Sequence, residues 1–186
     1  MQRKEFFTKT AALLPTVAIL GPLMAQQPTS NKKKKAFIVD AGKSRFGEVV
    51  KFLGVHPNDL KISSKDTNGQ LSVFDYIGTA KVGPMLHVHL DQDEIFTIVE
   101  GSYRFVVGNE THELHAGQTI FLPRQVPHTW IQLTDYGRMI YLLQPAGKME
   151  EFFSVMNKMT TRPTDAEMDK IHAAHGMKVV GPPLSL

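Results

Sequence analysis

Three histidines and one glutamate in this chain stand at spacings that suit the binding of a metal ion. His87 and His89 are two residues apart in a β-rich run, and residues two apart on a strand point to the same side. Glu94 begins the next β-rich run, and His128 follows further along the chain. Three imidazoles and one carboxylate form a ligand set that divalent transition metals favour. We therefore predict one divalent transition-metal site built from His87, His89, Glu94 and His128.

The composition excludes several other kinds of chemistry. The chain has 186 residues and no cysteine, so disulfides, cysteine-bound zinc, iron–sulfur clusters and thiol nucleophiles are ruled out. The net charge is +3, but the basic excess lies in the first 35 residues, and the rest of the chain is slightly acidic. Since nucleic-acid binding requires a basic surface, we predict no nucleic-acid partner.

The first 26 residues have the pattern of an export signal. A basic start precedes an apolar stretch over residues 11–25, which is shorter than the roughly 20 residues of a membrane-spanning helix. The stretch Arg3–Phe7 resembles a twin-arginine signal with a lysine in the second arginine position, which leaves Sec export open. Residues 27–35 form a lysine-rich leader. We predict a bacterial periplasmic or otherwise extracytoplasmic protein without stable membrane insertion after export, with an uncleaved anchor or a disordered terminus as the alternative.

From residue 36 onward, short β-rich runs alternate with turn residues. This pattern predicts an all-β barrel or sandwich over residues 36–146. The predicted strands are Ala36–Val39, Leu60–Ser63, Leu71–Gly78, Met85–Leu90, Glu94–Val99, Tyr103–Val107, Thr111–His115, Thr119–Leu122, His128–Leu133 and Arg138–Leu143. A turn is predicted at Asp66–Gly69, and a hairpin turn at Gly108-Asn109.

Residues 147–186 change to a helical period, which predicts two helices packed outside the β domain. Apolar residues between Met149 and Met156 share one helical face. A second helix is predicted to begin at a capping box formed by Thr164 and Glu167 and to stop at Gly176. The following residues, 179–183, are predicted to form an extended tail. We interpret His172 and His175 on the second helix as part of a solvated face.

The spacing of the four candidate ligands resembles that of the cupin superfamily. The first cupin motif, G-x5-H-x-H-x4-E-x6-G, is matched by His87, His89, Glu94 and Gly101. The C-terminal pattern H-G-x-x-V-V-G-P-P-L is similar to the tail of small quercetin-dioxygenase-like cupins. The resemblance covers residues 60–145 and implies a double-stranded β-helix, the jelly-roll barrel of that superfamily.

The second cupin motif, G-x5-P-x-G-x2-H-x3-N, is matched in part. The matching residues are Gly117, Pro123 and His128. Lys81 stands where the first motif begins with glycine, and Gln125 and Gln132 replace a glycine and an asparagine of the second motif. The four ligand positions are intact. The resemblance therefore implies a mononuclear site for Fe, Mn, Ni, Cu or Zn, in which Glu94 either stays a ligand or detaches to act as a catalytic base.

Strand parity predicts the wall of the site. The residues expected to face inward with the ligands are Met85, Phe96, Ile98, Trp130 and Gln132. An apolar and aromatic wall favours a small apolar or aromatic substrate over a phosphosugar, which requires arginines or lysines. Phe96 and Trp130 also fit a plain barrel core, because barrels fill their interiors with such side chains.

Three functions are consistent with these patterns. The leading hypothesis is a metal-dependent oxidoreductase of the dioxygenase-like kind that acts on a small organic molecule. The second is a non-catalytic extracytoplasmic protein that binds a metal or a small molecule, and the third is a metal-dependent isomerase or lyase. Fold alone does not separate these functions. Dimerisation through outer strands is common among cupins, so a homodimer is also left open.

Overall fold

The computed structural model describes residues 35–161 and 163–186. The predicted export signal and nearly all of the lysine-rich leader lie outside the described residues. Within the described part, no helix is both long enough and apolar enough to span a membrane.

Eleven strands of the described residues form two antiparallel sheets. The strands are β1 (Lys51–Phe52), β2 (His56–Ile62), β3 (Ser72–Gly78), β4 (Met85–His89), β5 (Asp93–Glu100), β6 (Ser102–Val107), β7 (Glu110–His115), β8 (Thr119–Leu122), β9 (His128–Gln132), β10 (Gly137–Gln144) and β11 (Met177–Pro183). One sheet has the order β1-β2-β3-β10-β5-β8, and the other has the order β11-β4-β9-β6-β7. Three short helices complete the chain: α1 (Ser64–Thr67), α2 (Met149–Lys158) and α3 (Asp165–Ala174).

The inner faces of the two sheets pack against each other and form the core. On β5, Glu94, Phe96 and Ile98 are buried while the residues between them are partly exposed, as the alternation of the sequence predicts. Aromatic rings fill the space between the sheets: Tyr141 stacks on Phe74 at 5.1 Å and on Phe96 at 5.0 Å between ring centroids. The prediction of an all-β jelly-roll with two C-terminal helices is confirmed.

The hairpin predicted at Gly108-Asn109 is also present. Val107 pairs with Glu110, so these two residues alone connect β6 to β7. Gly108 has a φ of 57°, in the left-handed region that two-residue hairpin turns require and that glycine adopts without strain. This tight connection fixes the register of β6, which pairs on its other side with β9.

Of two local predictions near the start of the domain, one is wrong and the other is confirmed in part. Residues 36–39 form no strand, and Ile38 is 91% exposed, so its side chain has no core to pack against. The turn predicted at Asp66–Gly69 is present at Asn68 and Gly69, with a left-handed Asn68, whereas Asp66 and Thr67 belong to the short helix α1. Ser63 and Asp66 form a capping box there, and this box supplies the partners that a helix start needs.

At the C-terminus, α3 begins at the predicted capping box of Thr164 and Glu167. The segment predicted as an extended tail is instead a strand of the barrel, because β11 pairs with β4 through Met177↔His89 and Val179↔His87. Pro182 and Pro183 cannot donate to a ladder of backbone hydrogen bonds, which argues against a strand. They are tolerated because β11 lies at the edge of its sheet.

Candidate metal centre

The four predicted ligands lie in the space between the two sheets. His87 and His89 are on β4 and His128 is on the neighbouring β9, where His87 and His128 are paired in register. Glu94 reaches the same point from β5 in the facing sheet. One ligand atom from each of the four residues lies within 4.8 Å of all the others. Residues far apart in sequence therefore meet because the two sheets face each other.

Each histidine is oriented by a carbonyl oxygen behind it. Nδ1 of His87 lies 2.8 Å from the carbonyl oxygen of Met85, and Nδ1 of His128 lies 3.0 Å from that of Val126. In His89 it lies 3.2 Å from Oε1 of Gln92. Because these oxygens only accept hydrogen bonds, each Nδ1 must donate, which leaves Nε2 free to offer a lone pair to a metal.

Gln92 is a functional candidate that the sequence analysis missed. Its side-chain nitrogen donates to the carbonyls of Pro145 and Ala146, at 3.2 and 2.6 Å, so its oxygen is turned towards His89. Outer partners of this kind fix the tautomer and the orientation of metal-binding histidines. The signal was available in the sequence as a polar residue in the short turn between His89 and Glu94.

The distances within the cluster fit a metal ion. Nε2 of His87 and Nε2 of His89 are 3.3 Å apart. Two nitrogens that each lie about 2.1 Å from one ion are about 3.0 to 3.4 Å apart, for angles between a right angle and a tetrahedral one. The carboxylate of Glu94 lies 3.2 Å from Nε2 of His128 and 3.6 Å from Nε2 of His89. The residues present therefore suit a transition metal in both donor type and spacing.

Burial and mutual electrostatics hold the cluster in a form that can bind a metal. All four side chains are at most 9% exposed. Burial is the main cause that lowers the pKa of His87 to about 3, with the neighbouring His128 and His89 lowering it further. Burial would raise the pKa of Glu94, but His89 and His128 outweigh this effect and lower it to about 2. Near neutral pH, His87 is thus neutral and Glu94 is ionised.

The cluster opens through His87 and Glu94 into a cavity of about 740 Å³. The sheets provide one side of this cavity, and α2, α3 and the segment between them provide the other. Methionines are the most frequent residues in its lining: Met85, Met149, Met156, Met159, Met168 and Met177. These are six of the nine methionines in the sequence. The cavity wall is therefore apolar and built of flexible, polarisable side chains.

Three of the five residues predicted to line the pocket do so: Met85, Phe96 and Trp130. Ile98 and Gln132 share the inward parity but do not line this cavity. Ile98 lies in the closed core, 1% exposed. The amide nitrogen of Gln132 donates to the carbonyls of Gly78 and Thr134, so this side chain has a structural position at the closed end of β9. Parity identifies the inner face but not how deep the cavity extends.

The interpretation of His172 and His175 as a solvated face is wrong. Both are buried, at 8% and 6% exposure, and both rings contact Phe152 of α2. His172 lines the cavity, whereas His175 does not. Burial is the main cause that lowers the pKa of His89, and His172 is among the groups that lower it further, which places the two rings within electrostatic reach.

Comparison with known sequences agrees with this architecture. Residues 75–143 match the family model for the cupin domain, and this range includes all four residues of the cluster. The chain is 30% identical over 82 residues to an uncharacterized protein of Methanocaldococcus jannaschii. That match covers 44% of this chain and 60% of the archaeal protein, which is less than two thirds of its length.

A solved structure shares the fold. An RmlC-like cupin from Shewanella frigidimarina has a TM-score of 0.50 and 18% identity, covering 60% of this chain and 93% of its own. At this identity the likeness concerns the fold alone. KdgF from a Halomonas species is also similar to this chain, with a TM-score of 0.47 and 17% identity, covering 51% of this chain and 83% of its own. With its two jelly-roll sheets, the chain contains a cupin domain, which the family model matches over residues 75–143.

Proposed function

We propose that this protein is a metal-dependent oxidoreductase of the dioxygenase-like kind that acts on a small apolar or aromatic molecule. The observation that carries this proposal is the position of the cluster, which opens through His87 and Glu94 into a largely apolar cavity. A cavity of about 740 Å³ is within the range of sites for small organic ligands.

In this proposal His87, His89, His128 and Glu94 hold one ion of Fe, Mn, Ni, Cu or Zn. The metal would supply a Lewis acid at the closed end of the cavity, next to the substrate. Glu94 has a pKa lowered to about 2, while a general base works best with a pKa near the working pH. We therefore assign Glu94 to the ligand set and expect the substrate proton to be accepted elsewhere.

The cavity wall supports an apolar substrate class. Phe96, Trp130 and Met177 line the cavity, and aromatic and methionine side chains bury large apolar areas. Among the described lining residues, the lysines are Lys51 and Lys81. Two lysines are few for a phosphosugar, which disfavours a sugar isomerase or lyase.

An extracytoplasmic location belongs to the same proposal. It is supported by the basic start and the short apolar stretch of residues 1–26, which have the pattern of an export signal. A redox enzyme without cysteine is suited to an oxidising compartment, since it carries no thiol to be oxidised.

The test combines metal analysis with oxygen uptake. Protein exported by its own signal and purified without a histidine tag should contain stoichiometric Fe, Mn, Ni or Cu. It should also consume oxygen with some members of a panel of aromatic compounds. The His87→Ala variant should lose both properties, while His112→Ala, a change on the exposed strand β7, should keep them. A wild-type protein that takes up no metal after reconstitution contradicts the proposal.

A second candidate function is a non-catalytic protein that binds a metal or a small molecule. The six methionines of the cavity favour it, because thioethers are readily oxidised to polar sulfoxides beside an oxygen-activating metal. Saturable binding of an aromatic compound to the metal-loaded protein, with no oxygen uptake across the panel, would favour this candidate. Stoichiometric zinc would shift the search to hydrolytic, isomerase or lyase reactions.

A further inference from the structure

One buried imidazole in the cavity is not part of the four-residue cluster. His172 on α3 lines the cavity and is 8% exposed, and its ring lies 5.1 Å from the ring of Phe152. The packing against Phe152 and the hydrogen bond from Nδ1 to the Met168 carbonyl hold the ring in place. His172 is thus a fixed polar group within a wall that is otherwise rich in methionine and aromatic side chains.

The hydrogen bond behind the ring determines which nitrogen carries the proton. Nδ1 of His172 lies 2.8 Å from the carbonyl oxygen of Met168, one helical turn earlier. A carbonyl oxygen can only accept, so Nδ1 donates and the neutral ring keeps its lone pair on Nε2. Nε2 lies on the edge of the ring away from the helix backbone and has no hydrogen-bond partner among the described residues. It is not among the buried polar atoms that lack a partner, so it is accessible from the cavity and can accept a hydrogen bond from a molecule there.

The polar side chains of the cavity differ in what they can offer a ligand. The ammonium groups of Lys51 and Lys81 only donate hydrogen bonds. Hydroxyl groups, which can both donate and accept, are present on Tyr76, Tyr141, Thr160 and Thr161. Because the carboxylate of Glu94 belongs to the proposed ligand set, Nε2 of His172 is the side-chain nitrogen that accepts without donating among the described lining residues outside the cluster.

We propose that Nε2 of His172 accepts a hydrogen bond from a hydroxyl group of the ligand, so that the cavity selects apolar molecules that carry a hydroxyl. This inference rests on the proposed function of the cavity as a substrate site, and it narrows the substrate class of that site. His172 then contacts the ligand from α3, while the cluster contacts it from the barrel. The cavity thereby distinguishes a hydroxylated ring from the same ring without a donor.

His175, the residue that caps the C-terminal end of the same helix, provides a matched control. Its Nδ1 donates to the carbonyl of Ile171 at 2.6 Å, its ring contacts Phe152, and it is equally buried. It does not line the cavity. Replacement of either histidine by phenylalanine keeps an aromatic ring against Phe152 and removes both ring nitrogens. An effect specific to the ligand should therefore appear at position 172 and be absent at position 175.

The probes are 4-nitrobenzyl alcohol and 4-nitrobenzyl methyl ether, in which a methyl group replaces the hydroxyl hydrogen and removes the donor. Nitroaromatic rings quench tryptophan fluorescence, and Trp130, which lines the cavity, is the single tryptophan of the chain. The loss of its fluorescence thus reports both affinity and location. We expect the wild-type protein to bind the alcohol about fivefold more tightly than the ether, as one hydrogen bond allows. The titration is repeated with zinc-loaded protein and after removal of metal by a chelator.

His172→Phe should abolish the preference for the alcohol while leaving the affinity for the ether within about twofold. His175→Phe should keep the wild-type preference. A wild-type protein that binds both probes equally overturns the inference without any variant. Equal loss of preference in both variants overturns it too, because it assigns the effect to the packing of α3. Since binding requires no turnover, a His172-dependent preference without oxygen uptake contradicts the proposed function alone.

Discussion

The histidines of the barrel and those of helix α3 share one local arrangement but lie in different surroundings. In His87, His128, His172 and His175, Nδ1 faces a backbone carbonyl, so Nε2 is the free nitrogen in each ring. In the barrel these free nitrogens converge with Glu94 within 4.8 Å. On α3 they do not converge, and only His172 reaches the cavity. The same tautomer thus suits metal binding in one region and a single hydrogen bond in the other.

The backbone that carries each pair explains the difference. Two strands of one sheet and a strand of the facing sheet bring side chains to one point from three directions. Residues three apart on a helix lie on the same face. The rings of His172 and His175, however, each turn back to the backbone carbonyl four residues before them. Phe152 contacts both rings. The barrel therefore brings four side chains together in an arrangement that could hold a metal ion, while the helix brings one histidine to the cavity.

Removal of one imidazole from each region tests whether the barrel histidines, and not those of the helix, bind the metal. His128→Ala should weaken metal binding by at least about 100-fold, because it removes one of four donors and leaves a gap in the ligand set. His175→Ala, a change of the same size in an equally buried histidine, should leave stoichiometric metal in place. The measurement is metal content after dialysis, together with circular dichroism to confirm that both variants are folded. Equal metal loss in the two variants would show that the helix histidines also hold the ion.

Acid should destabilise the barrel cluster when metal is absent. The pKa of His87 is lowered from 6.5 to about 3, so the unfolded chain binds a proton there that the folded chain does not. The stability that neutral His87 contributes is complete above pH 6.5 and is lost as the pH falls towards 3. The stability that ionised Glu94 contributes is complete above pH 4.5 and is lost as the pH falls towards 2. His87→Phe should reduce the fall in Tm across this range by about 10 °C.

The control for this pH experiment is His112→Phe, which removes an imidazole from the exposed strand β7. It should retain the pH dependence of the wild-type protein. Calorimetry of chelator-treated protein gives Tm at each pH. A His87→Phe variant whose Tm falls as steeply as that of wild type would place the acid-sensitive group elsewhere in the molecule.

The sequence allowed the barrel cluster to be predicted because its signal is local. Alternation on β4 and β5 gives the inward direction of His87, His89 and Glu94, and the resemblance to the cupin motifs indicates that His128 joins them. Gln125 illustrates how such a motif can be met without its usual residue. It stands at a glycine position of the motif and has a φ of 65°, the left-handed backbone that the motif requires.

The side of the cavity that the C-terminal residues form could not be predicted from sequence patterns. Helical periodicity locates α2 and α3, but it does not say against what an apolar face packs. His172 was therefore interpreted as solvated, although α2 covers it through Phe152. The strand β11 was missed because its two prolines argue against pairing, and the edge position that tolerates them depends on the finished sheet.

Within the barrel, a variant of Gln92 tests how much the orientation of His89 contributes to metal affinity. Its oxygen orients His89, while its nitrogen is anchored on the Pro145 and Ala146 carbonyls. Gln92→Ala should weaken metal binding by about tenfold, because the ring of His89 loses the partner that fixes its tautomer. Competition with a chromogenic chelator measures the affinity. Gln118→Ala, in the loop between β7 and β8, is the matched control. An unchanged affinity in Gln92→Ala would mean that packing alone holds His89.

The smallest expected effect is that of a variant at the start of α3, which tests whether the helix can be destabilised without disturbing the cluster. The hydroxyl of Thr164 accepts from the backbone nitrogen of Glu167, and the Glu167 carboxylate accepts from the backbone nitrogen of Thr164. Thr164→Ala removes half of this capping box and should cost about 1 kcal/mol, which lowers Tm by about 2 to 4 °C. Thr161→Ala, a change at an exposed threonine in the same connection, should change Tm by less than about 1 °C.

Metal content should remain stoichiometric in both variants, because none of the four donors lies on α3. A loss of metal in Thr164→Ala would mean that α3, through β11 and its pairing with β4, also sets the positions of His87 and His89.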